Sequence, residues 1–422
     1  MKLFGLIGAL TLICVVFFPL SGDEKTFVMA GRAQVVAEDT YGKTRWDNPV
    51  NRNGLLYVIP VPPESFVDRV SFFSLPELKH ITVDVPLQDF FSHHPELLVE
   101  GALTSTLKNG KERKNYWIED CFFYDIQNGE AGLKVLNYFL LSKGNIKRTY
   151  FVHWDLKRNR ISGAVLLLED RHIPRSGEYD FQSVAVDGIG YNPRLKEYYY
   201  LTVTADMRAI KDGKYTKYIH RGDAQFQFYG ISGTSQRKIA VLETGSRNSY
   251  GAYNAELNLF FLPAYRDLGH VEEKQHPEGF ILDLTKGGAS KITIQRHAYW
   301  SAFDPHRKVL YHVSSSSGTL WVTDLATGEK KAELFLGDAG DDRYRKLSLF
   351  DGHTLFYYLH GKVMIVDTDT NTVRGTIDLA ARFSEFSASS PAYILPDGLG
   401  LVIEARTAHN KTTGFLYFLR YK

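Results

Sequence analysis

A chain of 422 residues with 50 basic and 48 acidic side chains carries a formal charge of +2. That balance gives no electrostatic reason to expect nucleic acid or an anionic membrane as partner. Hydrophobic content of 44%, with 25 Tyr and 27 Phe, is ample for a core and favours strands, where flat and branched side chains pack on a pleated surface.

The chain opens with Lys2, the apolar run Leu3 to Leu20 and the small pair Ser21-Gly22 before Asp23-Glu24-Lys25. This is the layout of a secretory signal. The run is also long enough for an uncleaved anchor, so residues 1–22 are expected as signal or anchor and residues 23–422 as one domain. Without the signal, Cys121 is the only cysteine, so no internal disulfide can form. Its neighbours Phe122-Phe123-Tyr124 predict burial as a small hydrophobe.

Lys25 to Glu38 contains an isolated strand-like patch. From Gly54 short strand signals follow one another to the end, broken by Gly, Pro, Asn and Asp turns, with no long amphipathic helix. Hairpin patterns recur at Ser71 to Val83, Tyr150 to Leu168, Phe226 to Leu242 and Phe280 to Ile294. Two further copies are related by a fixed offset: Asp324 to Asp367, Thr327 to Thr370, Gly328 to Asn371 and Leu334 to Ile377 are each 43 positions apart. A period of this length is that of a propeller blade.

A last hairpin begins at Phe415-Leu416-Tyr417-Phe418, and the sequence then runs only to Lys422. It lacks a partner strand, and the patch at Lys25 to Glu38 is the candidate to supply it. The expectation is an all-β, seven-bladed propeller of four-stranded antiparallel blades, with six or eight blades as alternatives. The blades are placed at 54–84, 97–168, 181–243, 245–295, 298–336, 344–378 and 386–420. Insertions are expected at Lys108 to Asn115, Arg208 to Asp223 and Pro263 to Pro277, where a repeat protein commonly carries its specificity.

Val363-Met364-Ile365-Val366-Asp367-Thr368-Asp369-Thr370-Asn371, preceded by Leu355-Phe356-Tyr357-Tyr358, is similar to the YVTN-repeat propellers of bacterial envelope and surface-layer proteins. Ala302-Phe303-Asp304-Pro305 through Thr327-Gly328 resembles the same repeat, so the likeness covers residues 298–378. It implies a propeller in the periplasm or at the cell surface of a bacterium. It implies no activity, because related propellers include adhesins, scaffolds, lactonases and amine-dehydrogenase subunits.

Strand alternation puts the links between blades on one face with the second-to-third-strand loops. That face is expected to carry His93, His94, Glu96, His172, Arg247, Tyr250, His297, Trp300, Asp338 and Arg343. His93, His94, His172 and His297 are candidates to meet Asp338 on a metal, though no local ligand spacing supports this. Asp367-x-Asp369-x-Asn371 imitates a calcium loop, yet Thr372 stands where that loop requires glycine, which favours turn chemistry. No nucleophile elbow, phosphate loop or dinucleotide fingerprint is present. The function expected is non-catalytic binding or scaffolding in the envelope, with no cofactor, a protein or small-molecule ligand, no nucleic acid, and membrane contact only through an uncleaved N-terminus. The competing reading is a propeller enzyme, either a metal-assisted lactonase-like hydrolase or an amine-dehydrogenase-like oxidoreductase subunit.

Overall fold

The computed structural model describes residues 26–36, 50–51, 55–58, 68–74, 78–106, 109–125, 127–141, 144–172, 179–212, 215–220, 222–244, 251–265, 277–295, 298–314, 318–337, 346–349, 351–384, 386, 392–395, 400–406 and 413–422. Among them the chain is nearly all β, with two short helices, α1 (Leu87–His93) and α2 (Leu379–Arg382). No helix of the described residues is long and apolar enough to cross a membrane; the run Leu3 to Leu20 lies outside them.

Seven antiparallel sheets have main ladders of four strands each, which is a propeller-like architecture, and Thr104–Thr106 and Glu112–Lys114 form a separate two-stranded sheet. Sheet 1 holds Val50–Asn51, Leu55–Val58, Arg69–Ser74 and His80–Asp84. Sheet 2 holds Tyr116–Asp125, Glu130–Leu141, Gly144–Asp155 and Arg160–His172. Sheet 3 holds Tyr179–Asn192, Glu197–Asp212, Ala224–Ser232 and Ser235–Thr244, with Tyr215–His220 added to its second strand. Sheet 4 holds Ala252–Asn254, Leu259–Tyr265, Pro277–Asp283 and Gly288–Ile292.

Sheet 5 comprises Ala298–Asp304, Val309–Ser314, Thr319–Asp324 and Lys330–Phe335, and sheet 6 Lys346–Leu349, Thr354–Leu359, Lys362–Asp367 and Thr372–Asp378. Sheet 7 comprises Ala392–Leu395, Gly400–Arg406 and Thr413–Tyr421, with Phe27–Val36 paired antiparallel along the last of these, Phe27 opposite Tyr421. From sheet 1 to sheet 7 the first strands of successive sheets are neighbours. One expected boundary moves: residues 97–115, assigned from sequence to the second blade, form a link that packs over sheets 1 and 2.

Each pair of consecutive sheets buries its own apolar core. Tyr198-Tyr199-Tyr200 shows why such runs need not alternate with polar residues. All three are almost wholly buried, because their strand is covered on both sides. Tyr198 and Tyr200 join Phe123 and Phe151 of sheet 2, while Tyr199 joins Phe260 and Leu262 of sheet 4. Outer strands behave differently: Lys330–Phe335 leaves Phe335 61% exposed. Bulges interrupt their pairing at Lys331 and Arg374, again 43 positions apart, and so blunt the edges.

First-to-second and third-to-fourth strand connections share one face, here the turn face. Second-to-third connections and the links between sheets share the other, the link face. Eight connections on the turn face obey one rule. Asp125, Asp155, Asn192, Asn254, Asp283, Asp304, Asp324 and Asp367 each accept a backbone N–H three residues ahead through the side-chain oxygen Oδ1. The fourth residue ahead has positive φ in every case: Gly129, Asn159, Lys196, Asn258, Gly287, Lys308, Gly328 and Asn371. An aspartate or asparagine that folds over its own turn satisfies the N–H groups the turn would orphan.

Candidate functional site

On the link face the chain between sheets 1 and 2 forms a cap. Helix α1 is too short to hold itself together, and packing holds it instead: Leu87 and Phe91 are fully buried, Phe91 lying 4.8 Å from the ring of Tyr116. Two buried asparagines then lock the rest. Asn137 Oδ1 accepts the Val99 N–H at 2.9 Å and Asn137 Nδ2 donates to Asn115 O at 2.8 Å. Asn115 in turn donates to Ala102 O at 3.0 Å and accepts from Ser105 Oγ at 2.7 Å.

Arg148 Nη1 donates to Leu97 O at 3.0 Å, and the Tyr150 hydroxyl donates to the same oxygen. The Arg148 guanidinium also meets Glu169 at 2.8 Å, and Arg171 meets the other oxygen of that carboxylate at 3.0 Å. Lys114 pairs with Asp68 at 2.9 Å, and burial raises the Asp68 carboxyl above its ordinary range in spite of that partner. The result is a firmly seated platform that leaves Ser92 to Glu96 exposed to solvent.

Sheet 3 supplies a second feature of the same face. Its second strand, Glu197–Asp212, outruns the first, which ends where Tyr179 pairs with Ala209. The strand pairs with Tyr215–His220 from Met207 opposite His220 to Asp212 opposite Tyr215, and among the described residues Ile210 to Asp212 pair with that strand alone. The insertion expected at Arg208 to Asp223 is therefore a projecting β-ribbon. Gly222, in the Arg221-Gly222-Asp223 sequence, has φ +84°, as a turn requires.

The sequence-predicted site residues fare unequally. His93 ends α1 and turns back to its own helix, Nδ1 lying 2.8 Å from Asp89 O. The His94 ring instead lies tilted against Phe90, centroids 4.7 Å apart, and meets Glu96 Oε1 at 3.1 Å. The Glu96 carboxyl is held below its ordinary range, first by a backbone N–H and then by His94. His172 is the last residue of its strand, its backbone opposite Asn145, and Trp300 is half-buried on the first strand of sheet 5. Arg247, Tyr250, His297, Asp338 and Arg343 lie outside the described residues. No group of three metal-ligating side chains converges among the described residues.

Other constellations have structural work. Asp324 and Asp367 are turn aspartates whose carboxyls the turn N–H groups hold below the ordinary range, and their second oxygens pair with the bulged Lys331 and Arg374. His312 is fully buried, which lowers its pKa to about 3 and keeps it neutral between Gln295 and Thr323. Sequence reasoning missed a Ser–His–Glu array on sheet 2. Ser162 Oγ bonds His153 Nδ1, and His153 Nε2 stands 3.8 Å from Glu130. That last distance is too long for a hydrogen bond, and the hydroxyl also bonds the His153 carbonyl at 3.2 Å. It is a cross-strand polar pair. On the link face, by contrast, the described part of the cap presents the exposed side chains Ser92, His93, His94 and Glu96 on a seated frame.

No family model matches the chain, and no curated protein matches it. Among solved structures it is similar to apo AztD from Citrobacter koseri, at 10% identity over 77% of this chain and 83% of that one, with a TM-score of 0.36. It is also similar to a luciferin-regenerating enzyme, at 9% identity, 92% and 95% coverage and a TM-score of 0.36. A Kuenenia stuttgartiensis hydrazine synthase gives 13% identity, 78% and 81% coverage and a TM-score of 0.37. At these TM-scores the likenesses carry no argument about activity, and the resemblance of residues 298–378 to the YVTN repeat rests on their own sequence.

Proposed function

We propose that the protein is an exported, non-catalytic propeller that binds a protein or small-molecule ligand on its link face in a bacterial envelope. In this reading the seven sheets are the blades of one closed ring spanning residues 23–422. The strand Phe27–Val36 completes the last blade, and residues 1–22 are the export signal or anchor. The observation that supports it is the unequal use of chain on the two faces. The turn face closes eight connections by one local rule. The link face carries a locked helical cap and a projecting ribbon. Added chain with ordered exposed polar groups is what a repeat scaffold uses to recognise a ligand.

The test is affinity capture from envelope extract with the native chain, with His93→Ala/His94→Ala/Glu96→Ala, and with a chain in which Lys211 to Tyr218 is replaced by a short turn. Loss of the same captured ligand in one or both variants is expected. Undiminished capture by both folded variants refutes the reading.

A further inference from the structure

We propose that the turn face docks on an anionic phospholipid bilayer, which directs the link face away from the membrane. The inference goes beyond the binding reading and stands without it. Its first support is where the chain enters the fold. Phe27 pairs with Tyr421, and Thr26 and Lys422 exchange backbone hydrogen bonds of 2.7 and 2.9 Å. Because Thr413–Tyr421 is the third strand of its sheet, it ends on the turn face, and Phe27–Val36 starts there. The apolar run Leu3 to Leu20 therefore joins the fold on that face through Ser21 to Thr26, a segment that reaches at most about 20 Å.

Charge on the same face is the second support. Around the turns of the adjacent sheets 2 and 3, Lys157, Arg158, Arg160, Arg194, Lys196 and Lys238 are all exposed. Asp155 takes the Arg158 N–H at 3.0 Å on Oδ1 and the Arg158 guanidinium at 3.4 Å on Oδ2, and Glu197 meets Arg237 at 2.6 Å, so the positive surplus of these turns is carried by Lys157, Arg160, Arg194, Lys196 and Lys238. Leu195 stands 49% exposed between Arg194 and Lys196. Cations flanking an exposed leucine suit the headgroup boundary of an anionic membrane. The near-neutral total of +2 gives no sign of this local cluster.

The full chain, with Cys14→Ser, is labelled at Ser235→Cys on the turn face or at Asn109→Cys on the link face. It is mixed with vesicles of phosphatidylcholine alone or with phosphatidylglycerol, both carrying a headgroup energy acceptor. Stronger transfer from Ser235→Cys is expected, rising with phosphatidylglycerol and falling with salt. The variant K157E/R158E/K196E/K238E should bind the anionic vesicles at least about tenfold more weakly. If that variant misfolds, the neutralised K157Q/K196Q/K238Q serves. Equal transfer from the two labels, or transfer indifferent to phosphatidylglycerol and to the charge variants, overturns the proposal. Ligand capture in the preceding test does not depend on either outcome.

Discussion

The turn face and the link face are built by opposite rules. On the turn face an aspartate or asparagine closes each of eight connections in the same way, and arginines tie neighbouring sheets together there. Arg237 joins Glu197 of sheet 3 to Leu284 O of sheet 4, and Arg307 of sheet 5 reaches Gly352 O and Asp369 of sheet 6. On the link face one connection is a cap, another a ribbon, and a third only the tight turn at His360-Gly361. A rule repeated sheet after sheet supplies stability and leaves little room for specificity; variation held on a rigid frame does the reverse. Substitutions should therefore separate stability on one face from binding on the other.

The largest effect sharpens the comparison by isolating the frame between the faces. Burial holds His312 neutral down to about 3, whereas the unfolded chain titrates near 6.5. The unfolded state thus binds more protons between those values, and stability falls as pH falls. Between about pH 6.5 and about pH 4 the His312 contribution should drop by about 3 kcal/mol. Urea midpoints against pH should show His312→Phe losing that part of the slope.

Next, Glu197→Ala should cost about 2 kcal/mol by leaving the Arg237 guanidinium without its carboxylate, with half-exposure of the arginine limiting the loss. It should lower the denaturant midpoint at unchanged slope while ligand capture survives. Loss of capture at full folding would break the division between the faces.

Asp324→Ala and Asp367→Ala should each lower the urea midpoint at neutral pH by less than Glu197→Ala does, since each removes a side chain that caps backbone N–H groups at an exposed turn. Both carboxyls lie below their ordinary range. Their stabilisation is present above that range and is lost as pH falls through the folded values, so the gap to the native chain should close in acid. Smallest are His93→Ala and His94→Ala, whose exposed rings should change stability by less than about 0.5 kcal/mol while weakening capture.

These contrasts explain what the sequence could disclose. The turn aspartates, the offset of 43 and the pairing of Phe27–Val36 with the last strand were legible, because turn chemistry and strand runs are written in neighbouring residues. The cap was not, since it is locked by Asn137 to Val99 and Arg148 to Leu97, contacts between residues far apart in the chain. The ribbon was legible only as added length, because its projection depends on the first strand of sheet 3 starting at Tyr179, well short of the end of the second. Of the predicted site, His93 and His94 fall on the cap but face different partners, and five of the nine residues lie outside the described ones.

The most direct test places a photo-activated cross-linking residue at Asn109 on the link face or at Ser235 on the turn face and illuminates intact cells. A discrete ligand adduct from Asn109 and none from Ser235 is the predicted result. The same adduct from Ser235, with none from Asn109, would contradict ligand binding on the link face.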